Sequence, residues 1–282
     1  MKFGVNLLLY NGLIGEAEIK LFPLIKEMGF DVVEVPVFEP DKMNLKHIKE
    51  AAKESGLLLS VSGALAQGTR LYGDDRLLIK KAQFYLYDLI ESAVALGSSM
   101  ICGPLYKCVG DMDLSMPLEE QRIQVAKNLR PVVKKAESVG VTLAYEPLNR
   151  FETNLINTVD QGIAFCKAQG SHSAQLLLDT FHMHIEEKDT ANALAVAIEE
   201  KCLGHFHASE SDRGVAGSGQ VHWERVTKML KEMGYEDMVV LESFSMKVEE
   251  IRTAVSCWRP FYDSPEQFMR EGLQFVKSHL LA

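Results

Sequence analysis

Residues 139–146 read Val139-Gly140-Val141-Thr142-Leu143-Ala144-Tyr145-Glu146. A periodic, charge-faced pattern over Glu119 to Ser138 stops at this glycine, and an apolar run begins directly after it. Glycine takes the left-handed conformation that ends a helix at little steric cost, so it marks a junction from helix to strand. The run then ends on a carboxylate. The same punctuation recurs at Met28-Gly29-Phe30, Ser55-Gly56-Leu57, Leu96-Gly97 and Met233-Gly234-Tyr235.

Outward from these junctions the pattern repeats along the chain. Strands are predicted at Phe3 to Leu9, Val32 to Val37, Leu57 to Ser62, Met100 to Leu105, Val141 to Tyr145, Gln175 to Leu178, Leu203 to His207 and Met238 to Leu241. Helices are predicted at Glu16 to Met28, Asn44 to Ser55, Asp75 to Leu96, Glu119 to Ser138, Val159 to Ala168, Ala191 to Glu200, Trp223 to Met233 and Pro265 to Leu281. Alternation of the two implies a parallel sheet, and apolar strand runs imply burial on both faces. The fold class is therefore α/β, and a (β/α)8 TIM barrel formed by one domain over residues 1–282 fits the count and length. A doubly wound open sheet would leave edge strands, and none of the runs is polar enough to be one.

Of the 282 residues, 47% are apolar and 24% charged, the composition of an ordinary soluble protein. Lys and Arg total 30 against 39 Asp and Glu, a net charge of -9 that argues against a nucleic-acid partner. The five cysteines are odd in number, show no C-x-x-C pair and lie in apolar segments, which predicts reduced, buried thiols and a cytoplasmic location. Met1 to Tyr10 reads as a first strand, not a signal peptide, and no stretch approaches the roughly 20 apolar residues of a membrane span, so no membrane partner is expected.

In a barrel of this kind the chemistry lies at the carboxyl ends of the strands. Strand five runs out into Tyr145-Glu146-Pro147-Leu148-Asn149-Arg150-Phe151-Glu152, strand six into Asp179-Thr180-Phe181-His182, strand seven into His205-Phe206-His207-Ala208-Ser209-Glu210 and strand eight into Glu242. Four consecutive strands thus aim a carboxylate or an imidazole into one mouth. Carboxylates packed together repel unless a cation joins them, so the pattern outlines a metal site. Two glutamates, an aspartate and one imidazole suit Mn2+, Co2+ or Mg2+ better than a structural zinc site. His205 and His207 face the same side of their strand, and one of them is expected to be an interior histidine. Gly214, Gly217, Ser218 and Gly219 could cradle a phosphate or form a tight turn. Phe84, Tyr85 and Tyr87 read as helix packing.

The blocks Tyr145 to Glu152, Leu178 to His184 and Gly204 to His207 resemble the D-tagatose/D-allulose 3-epimerase family, and the similarity runs along nearly the whole chain. The resemblance implies metal ligands at Glu146, Asp179, His207 and Glu242, with Mn2+ or Co2+ preferred. It implies that Glu152, His182 and Arg213 hold the sugar, that the substrate is a free ketohexose or ketopentose, and that the protein is a homodimer or homotetramer. Where the family usually has His-x-Gly-Glu-x-Asn-Arg, this chain has Ser209 and Asp212 in place of the glycine and the asparagine. The segment Ser245 to Asp263 is long and is expected to cover the site or to meet a neighbouring subunit.

A hydrogen beside a ketone becomes acidic when the carbonyl is held by a divalent ion. Inverting that carbon needs a base on one face and an acid on the other, and Glu146 and Glu242, three strands apart, are assigned as the catalytic pair. An aldose–ketose isomerase would use a similar site between C1 and C2. An abasic-site endonuclease would want more histidines and a basic rim, and a non-catalytic sugar-binding module would need no second carboxylate.

Overall fold

Each of the eight predicted apolar runs becomes a strand: β1 (Lys2–Asn6), β2 (Val32–Pro36), β3 (Leu58–Ser62), β4 (Met100–Gly103), β5 (Thr142–Tyr145), β6 (Ala174–Asp179), β7 (Leu203–Ala208) and β8 (Met238–Leu241). This is a computed structural model that describes residues 1–281. The strands pair in parallel in chain order and close into a barrel, with β1 set against β8 in the register Gly4↔Val240 and Val5↔Leu241. The five junction glycines all take a left-handed φ, from 67° at Gly234 to 97° at Gly29. The helices pack apolar faces onto the outside of the barrel, as in Arg76–Leu96, where Ala82, Leu86, Leu89, Ile90 and Ala93 are buried. No helix among the described residues is long and apolar enough to cross a membrane.

The structure departs from the sequence pattern in four places. The run Phe3 to Leu9 leaves the sheet at Asn6, whose Oδ1 accepts from Leu8 N at 2.9 Å and turns Leu7–Leu9 into a 3-10 turn. The helix predicted over Glu16 to Met28 is two, Glu16–Ile19 and Phe22–Glu27, because Pro23 has no N–H to give to the preceding turn. Short helices at Thr180–Glu186 and Glu249–Ala254 have no counterpart in the sequence pattern. At the mouth, Gly103 takes φ 124°, and a Cβ there would lie 2.1 Å from Gly63 O, so the ends of β3 and β4 approach as only glycine allows. The five cysteines are free and buried, as the composition predicts.

Candidate active site

A cavity of about 580 Å³ opens over the carboxyl ends of the strands, with Glu146, His182, His207, Arg213 and Glu242 in its wall. Glu146 directly follows β5 and Glu242 directly follows β8, while Asp179 ends β6 and His207 lies in β7 opposite it in register. One ligand atom from each of these four side chains lies within 4.8 Å of the others, and all four are buried. Asp179 serves two purposes. Its Oδ1 caps the helix Thr180–Glu186 by accepting from Phe181 N at 2.7 Å, which turns Oδ2 towards the cluster.

The donor set fits a divalent cation on two observations. Glu146 Oε1 and His207 Nδ1 are buried and have no hydrogen-bond partner, and such atoms are costly unless something coordinates them. The charges also need compensation. Burial, then the neighbouring Glu242 and Asp179, pushes the Glu146 carboxyl well above the usual range. For His207 burial alone would favour the neutral ring, but Glu242 and Glu34 overcome it and push the imidazole well above its ordinary value. Both shifts trace in part to neighbouring buried carboxylates, whose charge a divalent cation would offset.

Arg213 follows β7 with a left-handed φ of 65°, and its buried guanidinium returns into the mouth. Nη1 lies 2.7 Å from Asp179 Oδ2 and 3.0 Å from Glu242 Oε2, while the group rests on the rings of Phe181 and Phe244, 4.0 and 4.9 Å from their centroids. Burial pushes Asp179 up, but Arg213 and the two histidines hold it well below the usual carboxylate range. His182 Nδ1 accepts from Asn149 N at 3.0 Å, while Nε2 lies between Arg213 Nη2 at 3.1 Å and Glu146 Oε1 at 3.4 Å. Burial, and then Arg213, pushes His182 down to about 4. Glu152 is half-buried in the cavity wall and accepts from Asn149 Nδ2 at 2.7 Å.

The structure therefore brings all seven predicted site residues to one place. His205 is the interior histidine: it lies below the mouth, with Nε2 2.8 Å from Glu34 Oε2. The glycines after β7 form the tight turn, since Glu210 takes the N–H groups of Gly217 and Val221 together with Trp223 Nε1. Tyr85 lines the cavity and donates to Val37 O at 3.4 Å, so it is more than helix packing. Segment 245–263 lays Val248, Ile251 and Val255 against the cavity. Sequence reasoning missed Asn6, Glu34 and Cys102, which form a buried polar layer beneath the cluster. The available signal was a lone carboxylate inside Val32-Val33-Glu34-Val35.

Fold and site together define the class, a (β/α)8 barrel with a buried cluster of carboxylates and an imidazole, suited to a metal ion, at the carboxyl ends of its strands. Residues 22–279 match the xylose isomerase-like TIM barrel family, and the chain belongs to it. It is 30% identical to a D-psicose 3-epimerase of Enterocloster bolteae over 85% of this chain and 81% of that one. It is 28% identical to a ketose 3-epimerase of Arthrobacter globiformis over 100% of this chain and 98% of that one. A D-allulose 3-epimerase of Methylomonas sp., solved in complex with D-allulose, superposes with a TM-score of 0.92 at 26% identity, covering 99% of this chain and 97% of that one.

Proposed function

We propose that this protein is a metal-dependent ketose 3-epimerase that inverts C3 of a free ketohexose or ketopentose. The observation that carries the reading is the convergence of Glu146 and Glu242, from strands three places apart, on one buried cluster in the wall of the cavity. One carboxylate removes the proton from C3, the electron pair passes into a C2–C3 enediolate, and the other carboxyl returns a proton to the opposite face. Glu146, Asp179, His207 and Glu242 hold one divalent ion, Mn2+ by preference with Co2+ or Mg2+ as alternatives, because three carboxylates and one imidazole form a hard donor set. When bound, such an ion polarises the ketone and its neighbouring hydroxyl and so makes the C3 hydrogen acidic.

His182 and Arg213 fix O1 and O2, and the guanidinium offsets the negative charge that develops as the proton leaves. Glu152 accepts from a sugar hydroxyl. The cavity suits an unphosphorylated sugar. Arg213 is the single Lys or Arg among the described residues that line it, in a wall that also carries Glu39, Glu146, Glu152, Glu242 and Glu250. A phosphate would meet repulsion there. Val248, Ile251, Val255 and Phe244 give the mouth an apolar cover that limits water around the reacting carbon. Free, buried thiols support a cytoplasmic location, and we take the working form to be a homodimer or homotetramer, as the family resemblance implies.

The test is to incubate Mn2+-loaded protein with D-tagatose, D-fructose, D-allulose and L-ribulose in deuterated water and follow the label by NMR. Deuterium at C3 of the inverted ketose is the expected result. Label at C1 or C2 of an aldose would make the protein an isomerase, and no exchange with any sugar would overturn the substrate class.

A further inference from the structure

We infer that Glu34 is a positioning residue that sets the tautomer and aim of His207. The inference rests on the reading of His207 as a cation ligand. Glu34 lies in β2, fully buried in the barrel interior, one level below the cluster. Its Oε1 accepts from Asn6 Nδ2 at 3.0 Å and faces His207 Nε2 at 2.8 Å. Its Oε2 accepts from Ser60 Oγ at 2.9 Å and Cys102 Sγ at 3.3 Å, and faces His205 Nε2 at 2.8 Å. Five donors from β1, β3, β4 and β7 thus surround one carboxylate.

An ionised carboxylate can only accept, so both imidazoles that face it carry their proton on Nε2. For a neutral His207 this leaves the lone pair on Nδ1. That atom lies 3.3 Å from Glu242 Oε1 and 3.7 Å from Asp179 Oδ2 and has no hydrogen-bond partner. The carboxylate below therefore turns the coordinating nitrogen upward, and loss of such a partner typically costs about 10- to 100-fold in cation affinity. The two histidines take one oxygen of Glu34 each, and would compete if only one acceptor were left. A glutamine at position 34 offers one acceptor and one donor, so it cannot receive both Nε2–H groups, and one ring must change tautomer or swing away.

The competition provides the test. Metal-stripped full-length protein is titrated with Mn2+, free ion is read by electron paramagnetic resonance, and the imidazole nitrogens are read by 15N NMR of the Mg2+-loaded, histidine-labelled protein. Glu34→Gln is expected to weaken Mn2+ binding by about 10- to 100-fold, with a shifted His207 nitrogen pair. The double variant E34Q/H205L removes the rival ring, so the single amide carbonyl at position 34 is no longer contested. Affinity should then return to within about threefold of the parent, well inside the tenfold or greater loss that a missing partner of a ligand histidine brings. Loss of affinity in E34Q without recovery in the double variant would overturn the tautomer account, as would wild-type affinity in E34Q. His207→Ala separates the two levels: if it binds Mn2+ as tightly as the parent, the ligand assignment itself fails. Should E34Q not fold, Glu34→Asp, which keeps both oxygens but withdraws them by one methylene, must show the same weakening, and parental affinity there overturns the inference.

Discussion

Ser209 Oγ donates to Asp179 Oδ2 across 2.8 Å, from the end of β7 to the end of β6. Arg213 Nη1 lies 3.0 Å from the same hydroxyl, so Ser209 both gives to the acid and receives from the guanidinium. A glycine, usual at this position of the related motif, could do neither. Ser209→Ala should therefore lower stability by about 1.5–3 kcal/mol, the range for a hydrogen bond to a charged group, measured by denaturant unfolding. Mn2+ stoichiometry should stay at the parental value. Unchanged stability would mean the hydroxyl is incidental.

Glu146→Gln and Glu242→Gln each remove a proton carrier while keeping nearly the same shape. Solvent exchange at C3 should fall by about 10²- to 10⁴-fold in each, the usual worth of a general acid or base. A rate within tenfold of the parent in either variant, with metal bound, would end the two-carboxylate assignment.

Arg213→Lys keeps the positive charge but loses the planar group whose Nη1 meets Asp179 and Glu242, whose Nη2 reaches His182, and which rests on Phe181 and Phe244. The expected outcome is a fall in kcat/KM of about 100-fold at unchanged metal content, determined by steady-state kinetics alongside metal analysis. A threefold change or less would show that charge alone suffices.

Glu210 offers a prediction about pH. Burial pushes its carboxyl up, but donation from Ser211 N, Trp223 Nε1, Val221 N and Gly217 N outweighs this and lowers its pKa. A group with a lowered folded pKa stabilises the protein above its unfolded value, about 4.3, and that contribution disappears as pH falls through the folded value. Glu210→Gln should thus be less stable than the parent at pH 7 by about 1.5–3 kcal/mol, and the gap should narrow in increasingly acidic solution. An equal gap at neutral and acidic pH would show that the charge of Glu210 is not the source.

Ile251 lies on the short helix Glu249–Ala254 and faces the cavity. Ile251→Trp should reduce kcat/KM for D-fructose more than for L-ribulose, because the longer ketose reaches further towards this wall. Equal losses for both sugars would overturn the length dependence, and no loss with either would take the segment out of contact with substrate.

Much of this site could be read from the chain because Glu146, Asp179 and Glu242 each stand where an apolar run stops, at the mouth end of strands of one closed barrel. Glu34 is harder to read. It sits mid-strand between valines, and only closure of the barrel reveals that its side chain meets two histidines from β7. Asn6 is hidden because apolarity continues through Leu9, although the backbone leaves the sheet when the asparagine caps its own turn. The helix Thr180–Glu186 is seven residues long, too short for helical periodicity to emerge, and owes its start to the Asp179 cap. The break before Phe22 follows from one proline within an otherwise continuous pattern.

The seam between β1 and β8 also bears on how the protein is made. Asn6 Nδ2 donates to Glu242 Oε1 at 3.0 Å across 236 positions of chain. At about 5–20 residues per second, a ribosome adds that length in roughly ten to fifty seconds. Throughout that interval the first strand is without its final neighbour, and Glu146, Asp179 and His207 are made before Glu242. A nascent chain that stops short of Glu242 lacks one member of the buried cluster and the partner of Asn6 across the seam. The cluster at the mouth is thus completed only by one of the last elements of the chain to be made.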